Sequence, residues 1–180
     1  MMTSLTLGLI QEAHLRIRDK INRTPVMTSG SLDGMAGGSL FFKCENFQKV
    51  GAFKARGATN AVFLLSDEEA REGVVTHSSG NHAAALARAA RLRGIPAYIV
   101  MPTNVPGAKR ESVRRYGGQI TFCEPTIQAR ETTAARVMAE TGAQLIHPYN
   151  DLRVMAGQGT ATVELLEDAA NLDVILCPIG

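Results

Sequence analysis

Short apolar runs that alternate one for one with helical patterns constrain this chain more than any other feature. Val74-Val75-Thr76-His77, Ala97-Tyr98-Ile99-Val100-Met101 and Gln119-Ile120-Thr121-Phe122-Cys123 carry the β-branched and aromatic content of strands. The spacing predicts a helix between each pair. One runs from Asn81 to Arg93 and is closed by Gly94; the other runs from Pro106 to Tyr116 and is stopped by Gly117-Gly118. Strands joined through single helices form parallel βαβ units, because a tight turn cannot return the chain to the start of a parallel neighbour. The fold class is therefore α/β, with parallel sheets and helices on both faces.

The flanking segments extend this pattern. Leu9, Ile10, Ala13, Ile17 and Ile21 recur at helical spacing until Thr24-Pro25 ends the run. Leu40 to Cys44 reads as a short strand, and Lys54 to about Leu65 as a helix. Ser66-Asp67-Glu68-Glu69 has the form of a capping box. Further on, Thr126 to Thr141 reads as a helix closed by Gly142, and Gln144 to Ile146 as a brief strand. Asp151 to Glu167 is a long helix capped by Asn150 or Asp151, and Asp173 to Cys177 is a final strand.

Composition excludes several functions. A net charge of +2, from Lys, Arg, Asp and Glu that are interspersed along the chain, does not suggest nucleic acid. No stretch approaches the roughly 18 apolar residues of a membrane span. The N-terminus has no basic leader and Glu12 interrupts its apolar run, which predicts no signal peptide. Cys44, Cys123 and Cys177 are odd in number and far apart, as expected of reduced thiols in a cytoplasmic protein. His14, His77, His82 and His147 show no metal-ligand spacing, so no metal site is expected. Gly157-Gln158-Gly159 starts like a dinucleotide fingerprint, but Thr162 replaces the third glycine; close helix packing explains it better. Phosphate loops of the Walker type and serine-hydrolase elbows are lacking.

Two segments carry chemistry. In Gly51-Ala52-Phe53-Lys54-Ala55-Arg56-Gly57-Ala58, Lys54 opens a helix, where partial positive charge lowers an amine pKa and favours attack on carbonyls. Phe53 offers an apolar surface to a flat cofactor, and Gly57 would let the backbone approach it. The plain alternative is that Lys54 and Arg56 are solvated residues at a helix boundary. Ser78-Ser79-Gly80-Asn81-His82 follows a strand and opens a helix, so free backbone amides converge where an anion is favoured. Its plain alternative is an ordinary N-cap, with Ser or Asn satisfying those amides. An amine that can form an imine, facing a loop that can hold a carboxylate, points to amino-acid chemistry on an aldehyde cofactor.

Both motifs together, with Arg23-Thr24-Pro25-Val26, Phe41 to Gln48, Gly94 to Pro102, His147-Pro148-Tyr149 and Ala156 to Thr160, resemble the fold-type II pyridoxal-phosphate enzymes. The likeness is to the serine racemase and serine/threonine dehydratase group, and it covers essentially the whole chain. It implies a tryptophan-synthase-β-like fold, truncated before completion of the large domain. Residues 1–72 and 150–180 would form part of the large cofactor domain, and residues 73–149 a small mobile domain.

The resemblance also implies roles. Lys54 would bind pyridoxal 5'-phosphate and take the substrate's α-proton; Phe53 would pack on the cofactor ring, and Asn81 would bond its phenolic oxygen. Ser78, Ser79, Gly80, Asn81 and His82 would grip the substrate carboxylate. Ser79 also matches the acid/base that serine racemases place on the opposite face. Arg130 and Glu131 would lie near the substrate side chain, and Gly180 would begin the glycine-rich loop that wraps the cofactor phosphate. Ala84 stands where many relatives have glutamine, which argues against nucleotide regulation of the mammalian racemase type. The expected activity is ammonia-lyase action on L-threonine or L-serine, with serine racemisation open beside it. Alternatives are a 3-hydroxyaspartate dehydratase, a β-replacement enzyme such as a cysteine synthase, and a catalytically dead fragment. A homodimer is expected of the full-length parent.

Overall fold

The computed structural model describes residues 4–178. Its centre is a four-stranded parallel sheet in the order β5-β4-β3-β6, built from β3 (Val74–His77), β4 (Ala97–Pro102), β5 (Gln119–Cys123) and β6 (Gln144–Leu145). Side chains alternate across it. Val74, Ile99 and Met101 point to one face, where Leu86 of α5 (Asn81–Arg93) and Val113 of α6 (Gly107–Arg115) complete the core. Val75 and Val100 point to the other, under Ala134 and Val137 of α7 (Ile127–Thr141). Helices therefore cover both faces, as the strand–helix alternation demands.

The chain runs β3, β4, β5 in one direction across the sheet and then returns to place β6 on the free side of β3. This reversal leaves a crevice beyond the carboxyl ends of β3 and β6, where open α/β sheets characteristically bind ligands.

A helical layer packs against the sheet unit. It comprises α1 (Leu7–Ile17), α3 (Lys54–Leu64) and α8 (Leu152–Asp168). Alanine makes close approach possible: Ala55, Ala58 and Ala61 of α3 and Ala83, Ala87 and Ala90 of α5 are all buried. Short α4 (Asp67–Ala70) starts with the expected capping box, in which Ser66 Oγ accepts from the Glu69 amide and Glu69 Oε2 from the Ser66 amide. Asp151, of the two candidate caps, is the one that accepts from the Arg153 amide to open α8.

Several expectations need correction. Asp173 to Cys177 forms no strand: no neighbouring strand supplies ladder bonds there, and Val174 and Leu176 are 70% and 88% exposed. The expected strand at Leu40–Cys44 shortens to β2 (Phe42–Lys43), which pairs antiparallel with β1 (Val26–Met27). The first helix stops at Ile17, and Ile21 is buried from the turn that follows. Helix α2 (Gly30–Ala36) lacks the apolar periodicity that would announce it and buries no residue. Charges also prove less evenly spread than expected. Residues 81–117 hold seven Lys or Arg and one acid, Glu111. Three of these, Arg91, Arg114 and Arg115, line one groove, where Arg91 donates to the Arg115 carbonyl at the C-terminus of α6. Among the described residues no helix is long and apolar enough to cross a membrane.

Candidate functional site

The crevice beyond β3 and β6 is a cleft of about 530 Å³, lined by Phe53, Lys54, residues 77–82, Ile127, Arg130, Glu131 and residues 148–149. Apart from Gly57, every described residue expected at the site thus reaches one cavity, from segments nearly a hundred positions apart. Gly180 lies outside the described residues.

Lys54 is the first residue of α3, and its Nζ donates to the carbonyl of Pro148 at 2.8 Å and lies 5.2 Å from the Phe53 ring centroid. Its pKa falls below the ordinary lysine value because burial penalises the charged form. The direction is the expected one, with burial as its cause. Among the described residues no carboxylate pairs with this amine, so the Pro148 carbonyl offsets only part of the lost hydration. Phe53 stays 41% exposed and presents its ring to the cleft.

The turn after β3 is not an ordinary cap. Gly80 occupies the cap position of α5, and no side chain satisfies the first amides of the helix. Ser78 Oγ accepts from the Gly80 amide at 3.3 Å. Among the described residues, the amides of Ser79, Asn81 and His82 have no acceptor. Unpaired N–H groups at the start of a 13-residue helix form a ready anion site. The His82 ring takes no part in it. It is 2% exposed with Nε2 3.4 Å from the Ile146 carbonyl, and burial lowers its pKa to about 4. Only the backbone of His82 is available to a ligand.

The far wall comes from α7 and the loop after β6. Arg130 Nε is buried without a hydrogen-bond partner, while the neighbouring Glu131 is exposed. His77, His147 and Tyr149 stack edge to face, with centroids 5.2 and 4.5 Å apart. Amides of Tyr149 and Asn150 donate to His147 Nδ1, which places its ring proton on Nε2. Burial, and then the neighbouring His147, lower the His77 pKa. Motif reading missed any role for His77, Ile127, Pro148 and Tyr149. His77, Pro148 and Tyr149 share a position at or after the ends of β3 and β6, and Ile127 opens α7 after β5; that these meet depends on a strand order that sequence does not reveal.

Behind the amine, the structure departs from both earlier views of Arg56 and Gly57. Arg56 is fully buried, not solvated. All five of its N–H donors are used, on both carboxylate oxygens of Glu45, both of Glu164, and the Thr160 hydroxyl. Burial opposes its charge, but the two carboxylates outweigh that penalty and raise its pKa. Gly57 does not face the cleft. A Cβ there would lie 2.7 Å from the Val154 carbonyl and 2.8 Å from the Gln158 side chain, so the glycine serves the crossing of α3 and α8. Gly157 answers it from α8, as its sequence context suggested: a Cβ there would lie 2.6 Å from Gly57 Cα.

The residues present fit the ring and aldehyde end of a pyridoxal cofactor. They offer a partly dehydrated amine without a carboxylate partner among the described residues, an exposed aromatic face and a polar residue, Asn81, in the same cleft. Among the described residues no group of three or more His, Cys, Asp or Glu could hold a metal ion.

Comparison with known proteins agrees with this chemistry. The sequence profile of a family described as pyridoxal-phosphate dependent enzyme matches residues 17–180. The chain is 60% identical over 168 residues to a beta-hydroxyaspartate dehydratase of Paracoccus denitrificans, covering 93% of this chain and 53% of that protein. It is 58% identical over 171 residues to a serine racemase of Arabidopsis thaliana, covering 95% of this chain and 52% of the relative. The structure of maize serine racemase matches with a TM-score of 0.93 at 55% identity, over 94% of this chain and 51% of that one. The chain spans about half the length of the relatives it matches.

Proposed function

This chain belongs to the fold-type II pyridoxal-phosphate dependent enzymes, in the serine racemase and threonine deaminase group, and from that premise we propose that the whole protein dehydrates 3-hydroxyaspartate, with amino-acid racemisation as the competing outcome. The observation that carries the substrate choice is Arg130, which lines the same cleft as Lys54 and the amide turn and whose guanidinium, among the described residues, has no carboxylate partner. A dicarboxylate has two anionic ends, and the cleft offers two separate anion-binding walls. L-Serine and L-threonine leave the second wall unused. The likeness to a beta-hydroxyaspartate dehydratase supports the same order.

When bound, the cofactor draws off the charge that develops at the substrate α-carbon. The remaining work falls to this chain. Lys54, whose pKa burial lowers, gives up its own proton more readily than an exposed lysine and is the group to accept the α-proton. The Ser79, Asn81 and His82 amides hold the α-carboxylate, and Arg130 holds the distal one. The Asn81 side chain would hydrogen-bond the cofactor's phenolic oxygen, and Phe53 would pack against its ring. Loss of the α-proton and the β-hydroxyl releases water, and hydrolysis then yields the oxo acid and ammonia. Ser79 lines the same cleft as Lys54, and its hydroxyl would be the group to deliver a proton to the other face. A barrier difference of about 1.4 kcal/mol between the two fates changes their ratio tenfold. Movement of residues 73–149 against residues 1–72 and 150–180 would close the cleft and exclude water.

The test mixes the purified protein with pyridoxal 5'-phosphate and follows its absorption spectrum, then assays oxo-acid release from 3-hydroxyaspartate, serine and threonine. Wild type should show a spectral change that Lys54→Ala abolishes, and the fastest release from 3-hydroxyaspartate. Identical spectra for the two proteins would overturn the role of Lys54.

A further inference from the structure

Lys54 sits between two structures that a surface lysine would not need. On its N-terminal side, Val50 has φ 58° and Gly51 φ 71°, so a β-branched residue is held in the left-handed region four positions before the amine. On its C-terminal side lies Arg56, the largest fully buried side chain among the described residues. Arg56 Nε and Nη2 donate to Glu45 at 2.8 Å each, which closes the segment 45–56 on itself with the strained turn and the amine inside. The same guanidinium makes a second fork, at 2.8 Å on both arms, with Glu164 of α8. Glu164 is 2% exposed and also takes Lys43 Nζ at 2.9 Å, while Glu45 accepts from the Thr24 hydroxyl at 2.7 Å. Three separate chain segments and both ends of the turn thus converge on one planar cation.

We propose that Arg56, forked between Glu45 and Glu164, is a positioning residue that holds the Lys54 amine in its partly dehydrated place against the Pro148 carbonyl. The inference gives a mechanical origin to the amine chemistry proposed above and rests on that reading only for its consequence in catalysis. The strained turn persists only where its surroundings over-determine it, and the double fork supplies that constraint. Loosening the fork lets the first turn of α3 relax, and Lys54 Nζ gains water. Its affinity for a proton then rises toward that of an exposed lysine.

Two variants separate this from a direct charge effect. Arg56→Lys keeps the cation but loses the planar double fork. Glu45→Gln removes a negative charge, which by itself makes Lys54 easier to deprotonate, whereas positioning predicts the opposite. The measurement is trace acetylation of the whole chain across pH, read lysine by lysine by mass spectrometry, with exposed Lys109 as internal standard. It needs no cofactor. In both variants the Lys54 midpoint should rise toward that of Lys109 by about half a pH unit or more, roughly a threefold loss of neutral amine at a given pH. Circular dichroism establishes that the variants are folded. Should Arg56→Lys not fold, Glu45→Gln decides alone, since Glu45 is partly exposed and its replacement is isosteric. A midpoint that stays put or falls in folded Glu45→Gln overturns the proposal. Loss of the cofactor-dependent spectrum in wild type would instead sink the functional reading and leave this result standing.

Discussion

Arg130 differs from most arginines here because part of its guanidinium is buried with nothing to bond. A buried donor without an acceptor is costly, and a ligand carboxylate would relieve it. A hydrogen bond to a charged group is worth about 1.5–3 kcal/mol, which corresponds to roughly 10- to 150-fold in rate. Arg130→Met should therefore lower kcat/KM for 3-hydroxyaspartate by about that factor and leave serine within about threefold. Equal losses on both substrates would show that Arg130 does not read the second carboxylate. The chemical types at this scale were legible in the sequence: an amine, a run of amides and a distal cation. Their environments were not. Arg56 and Gly57 look like boundary and cofactor residues until α8 is in place, whereupon one proves to be a buried fork and the other a crossing point.

Helix α3 carries the amine, so its crossing with α8 sets where that amine lies. Gly57 and Gly157 meet there with no room for a side chain; at each, the nearest atom a Cβ would strike is a backbone atom, which cannot swing aside. Gly157→Ala should destabilise the chain by about 1–3 kcal/mol, as overpacking does, with a lower urea midpoint. Gly34→Ala in exposed α2 serves as the control. Nothing lies within 4 Å of a Cβ there, and the change should stabilise by about 0.5–1 kcal/mol. Equal effects at the two sites would mean the helix crossing is looser than the distances say. Elements with strong local signals were readable residue by residue, as with β3, β5, α5 and the Ser66 capping box. Those whose existence depends on a neighbour were not. Residues 173–177 have strand composition but no pairing partner, whereas β1 and β2 pair over only two residues each.

At the scale of the whole molecule, two histidines make stability depend on pH. His82 is neutral in the fold, with its pKa lowered from 6.5 to about 4 by burial, and His77 is lowered in the same direction. The unfolded chain therefore binds the proton first. Stability is full above pH 6.5, falls as pH drops toward 4, and changes no further from this source below that. For His82 the loss amounts to roughly 3 kcal/mol. Urea unfolding at a series of pH values should show this decline in wild type and a shallower one in His82→Asn. Parallel curves would mean His82 titrates normally. The α/β class follows from alternation alone, but the cleft follows from the strand order β5-β4-β3-β6, and many orders satisfy the same alternation.

Local chemistry and periodicity, which act over a turn or a strand, were enough to determine the elements with strong local signals, the two reactive motifs and the family they resemble. The tertiary structure alone decided that β6 returns beside β3, that Pro148 meets the Lys54 amine, and that Arg56 disappears between two carboxylates. Those facts join residues far apart in the chain, and desolvation acts on a side chain only when distant segments close over it.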